Sequence, residues 1–177
     1  VILPDYPLAP KYNYKEVFDM IEPLYEELIN TQKAEKIIVM GDSAGGGMAL
    51  ALCEKLGEEG KQKPNQLILL SPWLDVKLEN EEISEVEKYD KQLHRGALKI
   101  AGIAYAGEDG MQSYLVNPIL GDPQTLQDIS ITVFTGTYDI LNPDVHKWIT
   151  IVGEKTQIEL KEYEQAPHIW LLDRSAD

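Results

Sequence analysis

Cysteine occurs once in this sequence, at Cys53, so no intrachain disulfide can close and a disulfide scaffold is excluded. Its place in an apolar helical run marks Cys53 as a small core side chain, and the pattern suits a reducing, cytoplasmic setting. Basic residues are also scarce: 16 Lys and Arg stand against 30 Asp and Glu, a formal net charge of -14. Such a chain repels a phosphate backbone, which removes nucleic acid from the expected partners. No apolar run approaches the roughly eighteen residues that a membrane-spanning helix needs. No signal-peptide pattern stands at the start, and Val1 opens without an initiator methionine directly inside an apolar run. Upstream sequence is therefore expected. Histidine is rare too, with only His94, His146 and His168 available to any chemistry that needs an imidazole.

What is present is one domain's worth of alternating apolar segments across 177 residues. Val1 to Leu3 is expected as a short buried strand, stopped by the three prolines between Pro4 and Pro10. Val17, Ile21, Leu24, Leu28 and Ile29 recur at helical spacing between Tyr14 and Thr31, with Pro23 expected to kink or divide that helix. Strands follow at Ile37 to Met40, Leu67 to Leu70, Ile131 to Thr135 and Ile158 to Tyr163. Helices are expected near Met48 to Gly57, Leu93 to Ala106 and Val145 to Val152. Residues 74 to 91 turn acidic and lose their apolar period, which predicts a solvated excursion; residues 74–123 are expected as a cap or insertion. Strands alternating with helices predict an α/β fold, a mainly parallel sheet covered on both faces.

The chemistry is concentrated in Gly41-Asp42-Ser43-Ala44-Gly45, a G-x-S-x-G pattern between a predicted strand and a predicted helix. A serine forced into that sharp turn needs small neighbours, and a helix beginning there directs N–H groups at an oxyanion beside Ser43. Ala44 is the oxyanion donor that can be named. The competing reading is a phosphate-binding loop, but a Walker A loop needs a lysine before its Ser or Thr, and none is present. Serine needs a base, and His168 follows the last strand, where open α/β sheets assemble their sites. His94 and His146 read as surface residues. Asp139 follows the strand Ile131 to Thr135 and completes the chain order Ser, Asp, His. Asp144, a first-turn helix acid, and Asp75, one strand earlier, stay open as rivals for that role.

With these residues quoted, the chain resembles the hormone-sensitive-lipase-like branch of the α/β-hydrolases, a group of carboxylesterases and acetyl esterases. Asp5-Tyr6-Pro7-Leu8-Ala9-Pro10 is similar to that family's Asp-Tyr-Arg-Leu-Ala-Pro segment, Gly41 to Gly46 to its elbow, and Ser71 to Asp75 to the turn after the next strand. Gly136 to Asp139 and Pro167-His168 resemble its acid and histidine loops. Pro7 stands where the family has arginine, and no His-Gly-Gly-Gly segment is present. The resemblance implies an α/β-hydrolase fold that lacks its N-terminal strands, one of which belongs between the strand at Val1 and the strand at Ile37.

The resemblance also implies a serine hydrolase that cleaves short-chain carboxylic esters through an acyl-enzyme. Its expected catalytic residues are Ser43, Asp139 and His168, with no metal or cofactor. Trp73 and the helix Leu93 to Ala106 are the expected pocket walls. The expected partner is a small ester, and a homo-oligomer stays open. Amides, peptides or thioesters remain alternatives, as does a catalytically silent binding module on the same fold.

Overall fold

The computed structural model describes residues 1–32, 36–153 and 156–172. Helix α1 spans Tyr14–Gln32. It opens on a capping box: Asn13 Oδ1 accepts the Lys15 N–H at 2.9 Å, and Glu16 Oε2 accepts the Asn13 N–H at 2.9 Å. Pro23 does not divide this helix as its position predicts. Pro23 and Asp19, whose carbonyl loses its N–H partner, are both exposed, so water can take up the freed group.

Four parallel strands follow in the spatial order β1-β2-β3-β4: β1 Ile38–Asp42, β2 Gln66–Leu70, β3 Ser130–Gly136 and β4 Ile158–Tyr163. Between them run α2 Ala44–Glu58, α3 Ile83–Val86, α4 Arg95–Ala106 and α5 Asn142–Val152. Each strand pairs with its successor, as a series of crossovers through helices requires. Leu67 and Leu69 of β2 and Ile131 and Val133 of β3 are wholly or almost wholly buried, the apolar-run signature of a covered parallel sheet.

Two hydrophobic clusters flank this frame, and α2 feeds both. Ala51, Leu52 and Leu56 join one with Phe18, Tyr25 and Ile140; Leu50 and Cys53 join the other with Leu69, Val133 and Trp148. Leu50 and Leu56 have no exposed surface, and each such burial contributes about 1.5–3 kcal/mol. Burial, helped by the neighbouring Glu54, pushes the Cys53 thiol well above its ordinary range, which leaves it an inert core group.

Two further segments differ from the pattern their sequence suggests. Val1 to Leu3 forms no strand: it lies without a ladder, and all three side chains are exposed. Strand structure exists only through pairing, and no neighbour among the described residues supplies it. The acidic stretch from residue 74 is not simply solvated either. Leu74, Val76, Leu78 and Ile83 enter the core and Asp75 is buried beside them, while Glu79, Glu81 and Glu82 stay exposed. Asn117, wholly buried, ties this segment down: its Oδ1 accepts the Val76 N–H at 2.7 Å and its Nδ2 donates to the Met111 carbonyl at 2.8 Å.

Candidate active site

All four strands point their carboxyl ends the same way, and the loops leaving β1, β2, β3 and β4 there carry Ser43, Ser71, Asp139 and His168 in turn. Ser43 occupies the single residue between β1 and α2, with φ 53° and ψ -119°, a backbone shape that L residues rarely adopt. The turn is held from both sides. The Ser43 N–H donates to the Leu70 carbonyl at 2.9 Å, and the Ser43 carbonyl accepts the Trp73 N–H at 2.9 Å. Gly41 must be glycine here, because a Cβ would collide with the Gly45 backbone as strand and helix cross.

His168 Nε2 lies 3.0 Å from Ser43 Oγ, and His168 Nδ1 lies 2.9 Å from Asp139 Oδ2. The second distance fixes the imidazole by one ring nitrogen and leaves the other facing the serine. Asp139 is completely buried and His168 is 5% exposed, so the pair is shielded from water. The other oxygen of Asp139 is occupied as well, accepting the Leu141 N–H at 2.9 Å. Gly136 lets the acid loop lie against the histidine loop, since a Cβ there would collide with the Ala166 backbone.

The rivals lie elsewhere. Asp75 Oδ1 accepts the Lys77 N–H at 2.9 Å, and Asp144 Oδ1 accepts from Asn80 Nδ2 at 3.1 Å. Asp144 does stand in the first turn of α5, but it is 1% exposed, and burial raises its pKa to about 6 against the opposing pull of Asn80. His94 and His146 are exposed; His146 pairs with Glu162.

Sequence reasoning gave Ser71 no role of its own, yet its Oγ accepts the Ile169 N–H at 3.1 Å and so holds the residue after His168. Ser71 itself has φ 45°, and Ile169 has φ 42°, costly for a β-branched residue. The signal was positional: Ser71 ends β2 as Ser43 ends β1.

Ala44 is the first residue of α2, where N–H groups have no intrahelical acceptor and the positive end of the helix dipole lies. It lines an apolar cavity of about 260 Å³ together with Met48, Trp73, Val76, Ala101 and Tyr105. Among the described residues, no cluster of three His, Cys, Asp or Glu side chains is placed to share a metal ion. No described helix is long and apolar enough to cross a membrane.

A family model described as the alpha/beta hydrolase fold matches residues 1–172. The chain is 37% identical over 147 residues to an esterase of Acinetobacter venetianus, covering 81% of this chain and 48% of that protein. It is 31% identical over 141 residues to the esterase LipU of Mycobacterium tuberculosis, covering 73% of this chain and 47% of the relative. A solved hormone-sensitive lipase from a metagenome library superposes with a TM-score of 0.86 at 27% identity, over 94% of this chain and 56% of that one. The chain thus spans about half the length of the curated relatives it matches. With the fold, the carboxyl-end loops and these relatives in agreement, the chain belongs to the alpha/beta hydrolase fold family, and the relatives it resembles there include esterases and a hormone-sensitive lipase.

Proposed function

We propose that this protein hydrolyses short-chain carboxylic esters, with Ser43 as nucleophile, His168 as general base and acid, and Asp139 as the group that orients the imidazole. The observation that carries the reading is the continuous chain of contacts from Ser43 Oγ to His168 Nε2, and from His168 Nδ1 to Asp139 Oδ2, at 3.0 and 2.9 Å. Ser43 Oγ attacks the ester carbonyl carbon while its proton passes to His168 Nε2. Asp139 stabilises the imidazolium, and that proton then leaves with the alcohol as the acyl-enzyme forms. Water, deprotonated by His168, attacks the acyl carbon, and the proton returns to Ser43 as the acid departs.

The developing oxyanion is assigned to the N-terminal N–H groups of α2, that of Ala44 first. Residues 74–123 act as a cap or insertion over the sheet's carboxyl ends, in keeping with Val76 and Ala101 on the cavity wall. The cavity's apolar lining favours a hydrocarbon acyl or alkyl group over a charged one. Esterases among the relatives support an ester bond rather than an amide.

The test uses the full-length protein and a panel of nitrophenyl esters of increasing acyl length beside matched anilides. Short esters are expected to turn over fastest, anilides negligibly, and Ser43→Ala to lower kcat by roughly five to six orders of magnitude. Faster turnover of the anilides, or full activity after Ser43→Ala, overturns the reading.

A further inference from the structure

Six consecutive backbone N–H groups surround Asp139, and their acceptors can be fully accounted for. Thr137 donates to the Tyr163 carbonyl, Tyr138 to that of Ala166, Asp139 to Gly136 and Asn142 to Asp139, all between 2.9 and 3.2 Å. Leu141 donates to Asp139 Oδ1. Five of the six therefore stay within the acid turn or reach the end of β4 and the histidine loop that follows it. The sixth, from Ile140, crosses to a different part of the chain and donates to Asp90 Oδ2 at 3.0 Å.

Asp90 is 6% exposed and uses its two oxygens for two jobs. Its Oδ1 accepts the N–H groups of Gln92 at 2.8 Å and Leu93 at 2.9 Å, a local turn before α4 that needs only one oxygen. The second oxygen is committed 50 residues along the chain. The preceding residue makes the matching contact on the other side of the acid: the Tyr89 ring stacks on Tyr138, centroids 5.0 Å apart and planes within 12°. Adjacent residues 89 and 90 thus hold residues 138 and 140, the two chain neighbours of Asp139.

We propose that Tyr89 and Asp90 are positioning residues that clamp the acid turn from both sides and fix the Asp139 carboxylate against His168, without touching substrate. The inference rests on Asp139 orienting the catalytic histidine, as proposed above. Ile140 is completely buried, so removing the Asp90 carboxylate leaves its N–H without an acceptor and lets the turn relax. A shift of about 1 Å in a group that orients a catalytic base can cost up to roughly a hundredfold in rate.

The test is a double-mutant cycle in the full-length protein, read by steady-state kinetics on a nitrophenyl ester. Asp90→Ala is expected to lower kcat roughly 10- to 100-fold with KM changed less than about twofold. In an Asp139→Asn background the same change is expected to cost no more than about twofold, because the group it positions is already disabled. Equal losses in both backgrounds, a loss carried by KM, or no loss overturns the proposal.

Tyr89→Leu supplies the second cycle if Asp90→Ala fails to fold. Tyr89 is 54% exposed, so its truncation costs the core little, and a roughly three- to tenfold loss confined to the Asp139 background is expected. An additive Tyr89→Leu effect, or none, overturns the clamp. Full activity of Ser43→Ala would instead remove the underlying catalytic reading, so the two failures are told apart.

Discussion

Ser71 makes its contribution through one hydrogen bond, accepting the Ile169 N–H at 3.1 Å beside the histidine that faces Ser43. Ile169 sits at φ 42°, a conformation its branched side chain disfavours, so the loop after His168 stays in place only while its surroundings hold it. Removing an acceptor of this kind costs about 0.5–1.5 kcal/mol. Ser71→Ala is therefore expected to lower kcat roughly two- to tenfold with KM unchanged, measured by steady-state kinetics on a nitrophenyl ester. An unchanged kcat would show that Ser71 does not hold the histidine loop. That Ser43, His168 and Asp139 would meet was readable from the sequence, because chain order and strand ends restrict where such residues stand. Ser71 and Asp90 were not, because their partners lie 98 and 50 residues away and only the folded sheet brings them together.

Among the elements, α5 carries an internal conflict at its start. Asp144 stands in its first turn, where the helix dipole favours a negative charge, yet the side chain is 1% exposed and its Oδ2 has no hydrogen-bond partner. Burial dominates and raises the carboxyl to about 6, with Asn80 opposing and Asp75 adding to the rise. A carboxyl whose folded pKa exceeds its unfolded value of about 3.9 holds its proton more tightly when folded. Its contribution to stability is full below about pH 4 and is lost as pH rises through about 6. Asp144→Asn abolishes that dependence. Relative to the unsubstituted protein, the variant should gain about 2–3 kcal/mol between pH 4 and pH 8, read from urea unfolding at each pH. A difference that stays constant with pH would contradict the assignment.

Legibility also differed by element. The strands at Ile38–Asp42, Gln66–Leu70, Ser130–Gly136 and Ile158–Tyr163 were readable within a residue or two, because covered parallel strands are short apolar runs. Val1 to Leu3 has the same composition but no pairing, and pairing is a property of neighbours that a local pattern does not report. Pro23 misled in the opposite direction: a proline on a solvated helix face removes one bond that water replaces, and the remaining turns of α1 hold. The acidic stretch after residue 74 hid its apolar anchors. Leu74, Val76 and Leu78 alternate for only five residues and form no strand, and Ile83 follows out of step with them.

Across the whole molecule, a four-stranded parallel sheet brings residues 43, 139 and 168 to one edge of the fold, and two hydrophobic clusters fix the loops that carry them. β1 forms one margin of the described sheet, with Ile38 and Met40 more than half exposed. Ser43 is held from the opposite side, by the Leu70 carbonyl at the end of β2 and the Trp73 N–H just beyond it. Covalent catalysis by Ser43 is open to a direct test by a covalent trap. The full-length protein is treated with a fluorophosphonate, digested, and mapped by mass spectrometry. One phosphonyl adduct is expected, on the peptide that contains Ser43, formed far more slowly after His168→Ala and absent after Ser43→Ala. An adduct on any other residue, or undiminished labelling without Ser43, would contradict it.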